Sequence, residues 1–260
     1  MGFLQRLLGA NQKTAPVHRD ITMETFDHVR DDAGVEVVGE QYYMPAIAAF
    51  RDHTKGGAGK ALLMREPTNP HDANAIAVYV WISSDSAVAQ VGHLAAEDAV
   101  AYRPVFDFLG DRAIGCDAAL APHRGGGGSD GVVLHLGTPG ELIAELWADA
   151  HPLQDHAWIG KTVTFSGFGV TIANVVLDRE GQRLLARLAG CSAAPIVTKR
   201  VDVCVATNPD EQTTNVAKAR AYGIPIVSEH DFWTELGVDA TVLGRGLGRW
   251  AQASSRAWAR

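Results

Sequence analysis

The residues best suited to chemistry crowd into one loop. In MREPTNPHDANAIAVYV, residues 64–80, the positions 67–74 hold Pro67, Asn69, Pro70, His71, Asp72 and Asn74, directly before the apolar run Ala75–Val80. A plain turn needs one or two such residues, because Pro sets φ and Asn or Asp bonds its own backbone. The surplus supplies a carboxylate acceptor, two amides and an imidazole, all able to read a ligand. The plainer alternative is that Asp72 and Asn74 only cap the turn. Ring chemistry is available at Tyr42 and Tyr43, which follow Gln41, and at His93. Here too a structural alternative stands: a tyrosine at a strand end is ordinarily core, and His93 reads as a buried structural histidine.

Other chemistries are excluded by spacing. His71, His93 and Cys116 lack zinc-ligand spacing, and Cys116, Cys191 and Cys204 form no CxxC pair, so neither metal nor disulfide framework is expected. The segment TKGGAGKA at Thr54–Ala61 imitates a P-loop, but Thr54 stands where Gly is required and Ala61 where Ser or Thr is required. GRGLG at Gly244–Gly248 follows no strand and is not a dinucleotide fingerprint. No nuclease carboxylate pair with Lys, helicase motif or GxSxG elbow occurs. The chain is therefore expected to bind rather than catalyse, with no cofactor.

The elements that must position these groups fall into two classes. Val35–Gly39, Lys60–Met64, Ala75–Trp81, Ala87–Gly92, Arg112–Leu120 and Val132–Leu136 read as strands, with one helix at Ala95–Phe108 interrupted at Pro104. Many short strands with polar turns, including 124–129, predict a small barrel or sandwich. A helix over Glu141–Ala148 follows Thr138-Pro139-Gly140. Downstream, strands at Lys161–Ser166, Pro195–Val197, Val201–Ala206 and Ile224–Val227 alternate with helices at Leu177–Ala189, Thr213–Tyr222 and Glu229–Leu236. That alternation predicts a second, α/β domain with a parallel sheet. The predicted boundaries are a helical arm (1–32), a barrel (33–137), a helical linker (138–156), an α/β domain (157–238) and a basic tail (239–260). The opening MGFLQRLLG is too short to span a bilayer and is expected to form an amphipathic helix, with a membrane-surface anchor as the alternative.

Charge separates the parts. The net charge is −7, yet residues 1–138 hold 11 Lys/Arg against 17 Asp/Glu, while 239–260 carry four Arg against Asp239. An acidic first domain argues against broad duplex-DNA binding, which needs many phosphate contacts. A pocket gripping one nucleic-acid end needs far fewer. In the tail, Arg245, Arg249, Arg256 and Arg260 are interleaved with Trp250 and Trp258, a pattern that neutralises phosphate and stacks on bases. Packing of the two tryptophans on the body is the alternative.

Three segments carry a family resemblance: VVGEQYY at Val37–Tyr43, REPTNPHDANAIAVY at Arg65–Tyr79 and QVGHL at Gln90–Leu94. In this order and spacing they resemble the HIRAN domain, over roughly 33–137. The resemblance implies an OB-like β-barrel that captures the 3′-hydroxyl end of single-stranded DNA. It implies stacking on Tyr42 and Tyr43, a hydrogen bond from the free 3′-OH to Asp72, and contacts from Gln41, Asn69, His71, Asn74 and His93. Two departures remove cations: Gln41 replaces an Arg, and Ala96 a Lys, of the family's end-binding member.

A second resemblance rests on GKTVTFSG at Gly160–Gly167, LLARLAG at Leu184–Gly190, VTKRVDVCVA at Val197–Ala206 and AKARAYGIPIVSEHDF at Ala217–Phe232. These are similar to a bacterial-type BRCT domain over Trp158–Gly237. The resemblance implies a non-catalytic domain with a four-stranded parallel sheet flanked by helices in the order β-α-β-β-α-β-α. It binds partner proteins, phosphopeptides or 5′-phosphates. The family's phosphate site maps onto Ser166, Gly167 and Arg179, but its helix-two Lys falls on Asn215; Lys218 lies one turn away. The expected whole is an α+β two-domain adaptor for DNA ends in repair or replication, cytoplasmic and nucleoid-associated if bacterial. Its expected partners are single-stranded DNA ends and repair or replication proteins, with no membrane. The alternatives are a protein-interaction scaffold and, third, a metal-dependent nuclease.

Overall fold

The computed structural model describes residues 23–25, 34–83, 87–122, 130–151, 155–167, 169–239 and 241–242. The amphipathic segment 1–9, the turn 124–129 and all six tail residues Arg245, Arg249, Trp250, Arg256, Trp258 and Arg260 lie outside them. The chain divides into two compact units, 1–137 and 138–260.

The first unit is a closed antiparallel barrel. Its strands are β2 (Val35–Val38), β3 (Gly59–Arg65), β4 (Ile76–Trp81), β5 (Val88–Leu94), β6 (Ala113–Pro122) and β7 (Asp130–His135), after a short β1 (Met23–Thr25). The order β6-β3-β4-β5-β2-β7 closes because β7 also pairs with β6, while β1 adds to β6 in parallel. Closure removes the exposed edges of these six strands. The interior is filled by alternate residues such as Ala61, Leu63, Ile76, Val78 and Val80. Two helices accompany the barrel: α1 (Met44–Thr54), not foreseen from sequence, and α2 (Ala96–Leu109). α1 buries Ile47 and Phe50. α2 runs straight through Pro104 rather than breaking there, fixed by the buried Tyr102, Val105, Phe106 and Leu109. Tyr102 Oη donates to Gly137 O at 2.7 Å. That contact and the buried aromatic face outweigh the single backbone hydrogen bond a proline forfeits.

Two motif residues gain a physical reason. Gly92 lets β5 lie against β2: a Cβ there would sit 2.4 Å from Val38 O. Gly39, at φ 79°, turns the chain from β2 into the 3-10 turn Glu40–Tyr42. Glu40 is buried and its Oε1 accepts from Val132 N at 2.5 Å, tying this turn to β7.

The second unit begins with α3 (Pro139–Ala150), whose capping box joins Thr138 and Glu141. The linker expected over 138–156 thus contains a helix built into the unit. Its Gly140 meets Gly181 so closely that a Cβ on Gly181 would lie 2.6 Å from Gly140 backbone. Next come β8 (Thr162–Ser166), the hairpin β9 (Val170–Ile172) and β10 (Val175–Leu177), α4 (Arg179–Leu188), β11 (Ser192–Ala194), β12 (Val203–Ala206), α5 (Thr214–Tyr222), β13 (Ile226–Ser228), α6 (Glu229–Glu235) and β14 (Thr241–Val242). A parallel sheet has the order β11-β8-β12-β13. The strand expected at Pro195–Val197 is displaced to 192–194, because Ser192–Ala194 is the stretch that registers on Thr162–Thr164. β9, β10 and β14 form a separate antiparallel sheet that sequence reading did not supply.

Candidate nucleic-acid interface

On the barrel, the 3-10 turn delivers two tyrosines in different states. Tyr42 is 79% exposed, whereas Tyr43 is half-buried with its ring edge-on to His93, centroids 6.4 Å apart. Gln41 is exposed beside them. His93, half-buried on β5, faces a carboxylate absent from the sequence-based site: its Nε2 lies 2.9 Å from Glu66 Oε2. Gln90 Nε2 is 3.3 Å from the same ring nitrogen. Tyr79 on β4 stands near this cluster. Burial, with Glu66 and Tyr43 adding to it, pushes its phenol up to about 12. Burial and then Glu66 raise Tyr43 as well. The hydrogen bond from His93, seconded by Asn69, holds the Glu66 carboxyl below its usual range against the opposing effect of burial. Glu66 is therefore a half-buried anion at neutral pH, flanked by two neutral phenols and an imidazole.

The loop after Glu66 is built from side chain to backbone. Asn69 Nδ2 donates to Glu66 Oε2 at 3.0 Å, and Asn69 Oδ1 accepts from the amides of His71 (3.0 Å) and Asp72 (3.4 Å). Asp72 Oδ1 accepts from Asn74 N at 2.8 Å, and Asn74 Oδ1 accepts from Arg103 Nη1 at 3.1 Å. Asn69 and Asn74 are thus engaged in holding the loop. Asp72 has capped the turn with one oxygen, and among the described residues its other oxygen has no partner. His71 is exposed, its ring without a partner among the described residues. The structure brings Tyr43, Asn69 and His93 around Glu66 and threads Asp72 and Asn74 onto the same chain of bonds. It shows no contact tying Gln41, Tyr42 or the His71 ring into that chain.

In the second unit, Ser166 Oγ lies 2.7 Å from Thr213 Oγ1, and Thr213 caps α5 by accepting from Val216 N. Arg179 is turned inward: Nη2 donates to Gly167 O at 2.9 Å and Nη1 to Gln182 Oε1 at 2.5 Å. Burial lowers its guanidinium, and the nearby buried Glu229 works against that. Glu229 is itself raised by burial, and it accepts from Thr207 Oγ1 (3.0 Å) and Gln182 Nε2 (3.4 Å). Asn215, half-buried, sits in the first turn of α5, and Lys218 is exposed. Arg179 is therefore bonded to Gly167, while the Ser166 hydroxyl is bonded instead to Thr213, the N-cap of the helix whose first turn carries Asn215. Sequence reading missed Glu229, Gln182, Thr207 and Thr213, whose only signal was their position beside the SerGly pair in space.

Among the described residues, no group of three or more His, Cys, Asp or Glu is placed to hold a metal, and no helix is long and apolar enough to cross a membrane. The HIRAN domain family matches residues 31–117, a span that holds Tyr42, Tyr43, Glu66, the loop and His93 and stops within β6. The barrel-closing strand β7 lies beyond it. No curated protein matches the chain.

Proposed function

We propose that the protein is a non-catalytic adaptor that captures the free 3′-hydroxyl end of single-stranded DNA on its barrel. The observation that carries this reading is a hydrogen-bonded loop presenting an uncommitted Asp72 oxygen, together with the exposed Tyr42, within the span matched to a family that binds such ends. A terminal base stacks on Tyr42, and the terminal hydroxyl donates to Asp72. Tyr43 and His93 form the half-buried wall behind them.

The second unit is read as a BRCT-like partner-binding module acting in repair or replication. Its support is the four-stranded parallel sheet and the order β-α-β-β-α-β-α, interrupted by the β9–β10 hairpin. The commitments of Ser166 and Arg179, with neutral Asn215, favour a protein partner over a 5′-phosphate. A scaffold without DNA affinity is the second reading. The acidic first domain and Gln41 favour it, since Gln41 stands where the family's end-binding member has a phosphate-neutralising Arg.

The test is binding of the full chain to single-stranded oligonucleotides ending in 3′-OH or 3′-phosphate and to a circular strand. Preference for 3′-OH supports end capture; equal affinity or no binding to all three refutes it. Cleavage of labelled DNA on incubation with Mg²⁺ or Mn²⁺ would support a metal-dependent nuclease instead.

A further inference from the structure

We propose that Glu66 and Arg103 are positioning residues that clamp the recognition loop at its two ends and so set where Asp72 stands. This inference rests on the end-capture reading and adds two residues that touch no ligand in it. The bonds form one uninterrupted path. It runs from His93 on β5 to Glu66, on to Asn69, through the amides of His71 and Asp72, from Asp72 to Asn74, and from Asn74 to Arg103 on α2. Asp107 then continues it, 3.7 Å from Arg103 Nε and 2.6 Å from Arg65 Nη1 at the end of β3. The segment between β3 and β4 is thereby fastened to β5 on one side and to α2 on the other.

Physical reasoning makes Glu66 the more important clamp. One half-buried carboxylate oxygen accepts from both the loop (Asn69) and the barrel (His93), and charge-assisted bonds are about twice as strong as neutral ones. Gln at this position keeps the volume but removes the charge. Its carbonyl can still take both donors, as the single oxygen Oε2 does, but the two bonds then lose their charge assistance and about half their strength. Arg103 is more exposed and its bond to Asn74 is open to solvent, so its clamp is weaker. Both act on geometry: with either end released, Asp72 keeps its chemistry but loses its fixed place relative to Tyr42 and Tyr43.

The test has two arms on the full chain. Hydrogen exchange of the His71, Asp72 and Asn74 amides needs no DNA. Each of Glu66→Gln and Arg103→Gln should speed it, Glu66→Gln by about tenfold, the worth of about one such hydrogen bond. The second arm is the ratio of affinities for 3′-OH and 3′-phosphate strands. Glu66→Gln and Asn69→Ala should each lower that ratio, and the double variant should lower it no further than the larger single, because both cut the same path. Unchanged exchange in Glu66→Gln overturns the clamp, as do losses that add. If wild-type protein shows no end preference but exchange quickens, the clamp stands and the end-capture reading falls.

Discussion

Replacing Tyr42 by Ala separates binding from folding more cleanly than any other change on the barrel. Its side chain is 79% exposed and makes no hydrogen bond or ring contact among the described residues. Truncation therefore removes almost no packing, and a surface substitution of this kind costs within ~0.5 kcal/mol of stability. Binding is another matter, because base–aromatic stacking is worth about 1–3 kcal/mol per base. That range converts to a loss of about 5- to 150-fold in affinity at 1.4 kcal/mol per decade. Tyr43→Ala should behave differently: its half-buried ring packs edge-on to His93, so both affinity and melting temperature should fall. The assay is fluorescence anisotropy of a labelled single strand with a free 3′-OH, at one fixed salt concentration. Tyr42→Phe, which keeps the aromatic face, is the control and should bind nearly as wild type. Affinity of Tyr42→Ala within twofold of wild type, with wild type binding well, would refute the stacking platform.

Four further outcomes are expected. Cys116 and Cys191, pushed by burial up to about 12 and about 11, and buried Cys204, also raised, should resist a thiol-reactive dye at pH 8 until denaturant is added; rapid native labelling would contradict their burial. Glu66 has a folded value below its unfolded one near 4.5, so its contribution is full above that range and lost as pH falls through the folded value. The melting temperatures of wild type and Glu66→Gln should therefore differ at pH 7 and converge in acid, and a gap that widens in acid would reverse the sign. Asn215→Lys should strengthen binding of a 5′-phosphorylated strand or phosphopeptide by adding a charge-assisted bond, and no change would dissociate α5 from any anion site. Ending the chain after Val242, which keeps β14 paired to β9, should flatten the slope of log affinity against log salt by up to about three units, and an unchanged slope would assign the four tail arginines no phosphate role.

The barrel was legible because its strands are short apolar runs, such as Ala61–Leu63 and Ile76–Val78, set between turns that carry Pro, Gly, Asn and Asp. Closure was not, since it needs β2 at the start of the barrel to pair with β7 at its end, Val35 opposite Leu134, and no local pattern links them. α1 was hidden by MPAIAAFRDHT: only Ile47 and Phe50 are buried, too few to mark a helical stripe. At the site, the loop announced itself through surplus polar residues, and much of that surplus proves to be architecture. Asn69 and Asn74 spend their side chains on holding the turn, so polarity reported both a ligand surface and its scaffold. Glu66 stood inside the quoted motif yet passed unread, because its meaning depends on His93, which follows 27 residues later and meets it only once β4 and β5 are paired. Arg179 shows the converse. Its type suited a phosphate, but burial turned it onto Gly167 and toward Glu229.

Magnitudes also indicate how such a cleft would choose its ligand. Glu66 and Asp72 put two carboxylates along the bonded loop, while Arg103 is spent on Asn74 and Asp107. A hydroxyl donating to an ionised carboxylate gains about 1.5–3 kcal/mol. A phosphate brought to about 4 Å from the same group meets a repulsion of about 4 kcal/mol per charge pair at the effective dielectric of a protein surface. The penalty exceeds the gain, so selectivity for a free end would come chiefly from rejecting phosphate, and only secondarily from welcoming the hydroxyl. Rejection supplies no affinity. The attraction must then come from the aromatic face of Tyr42, which is indifferent to base identity and nearly indifferent to salt. End preference in the barrel should therefore weaken with salt only as the short-range repulsion is screened, more gently than any backbone binding, which releases counterions. A preference that survives Asp72→Asn would mean that the Asp72 carboxylate does not select the end.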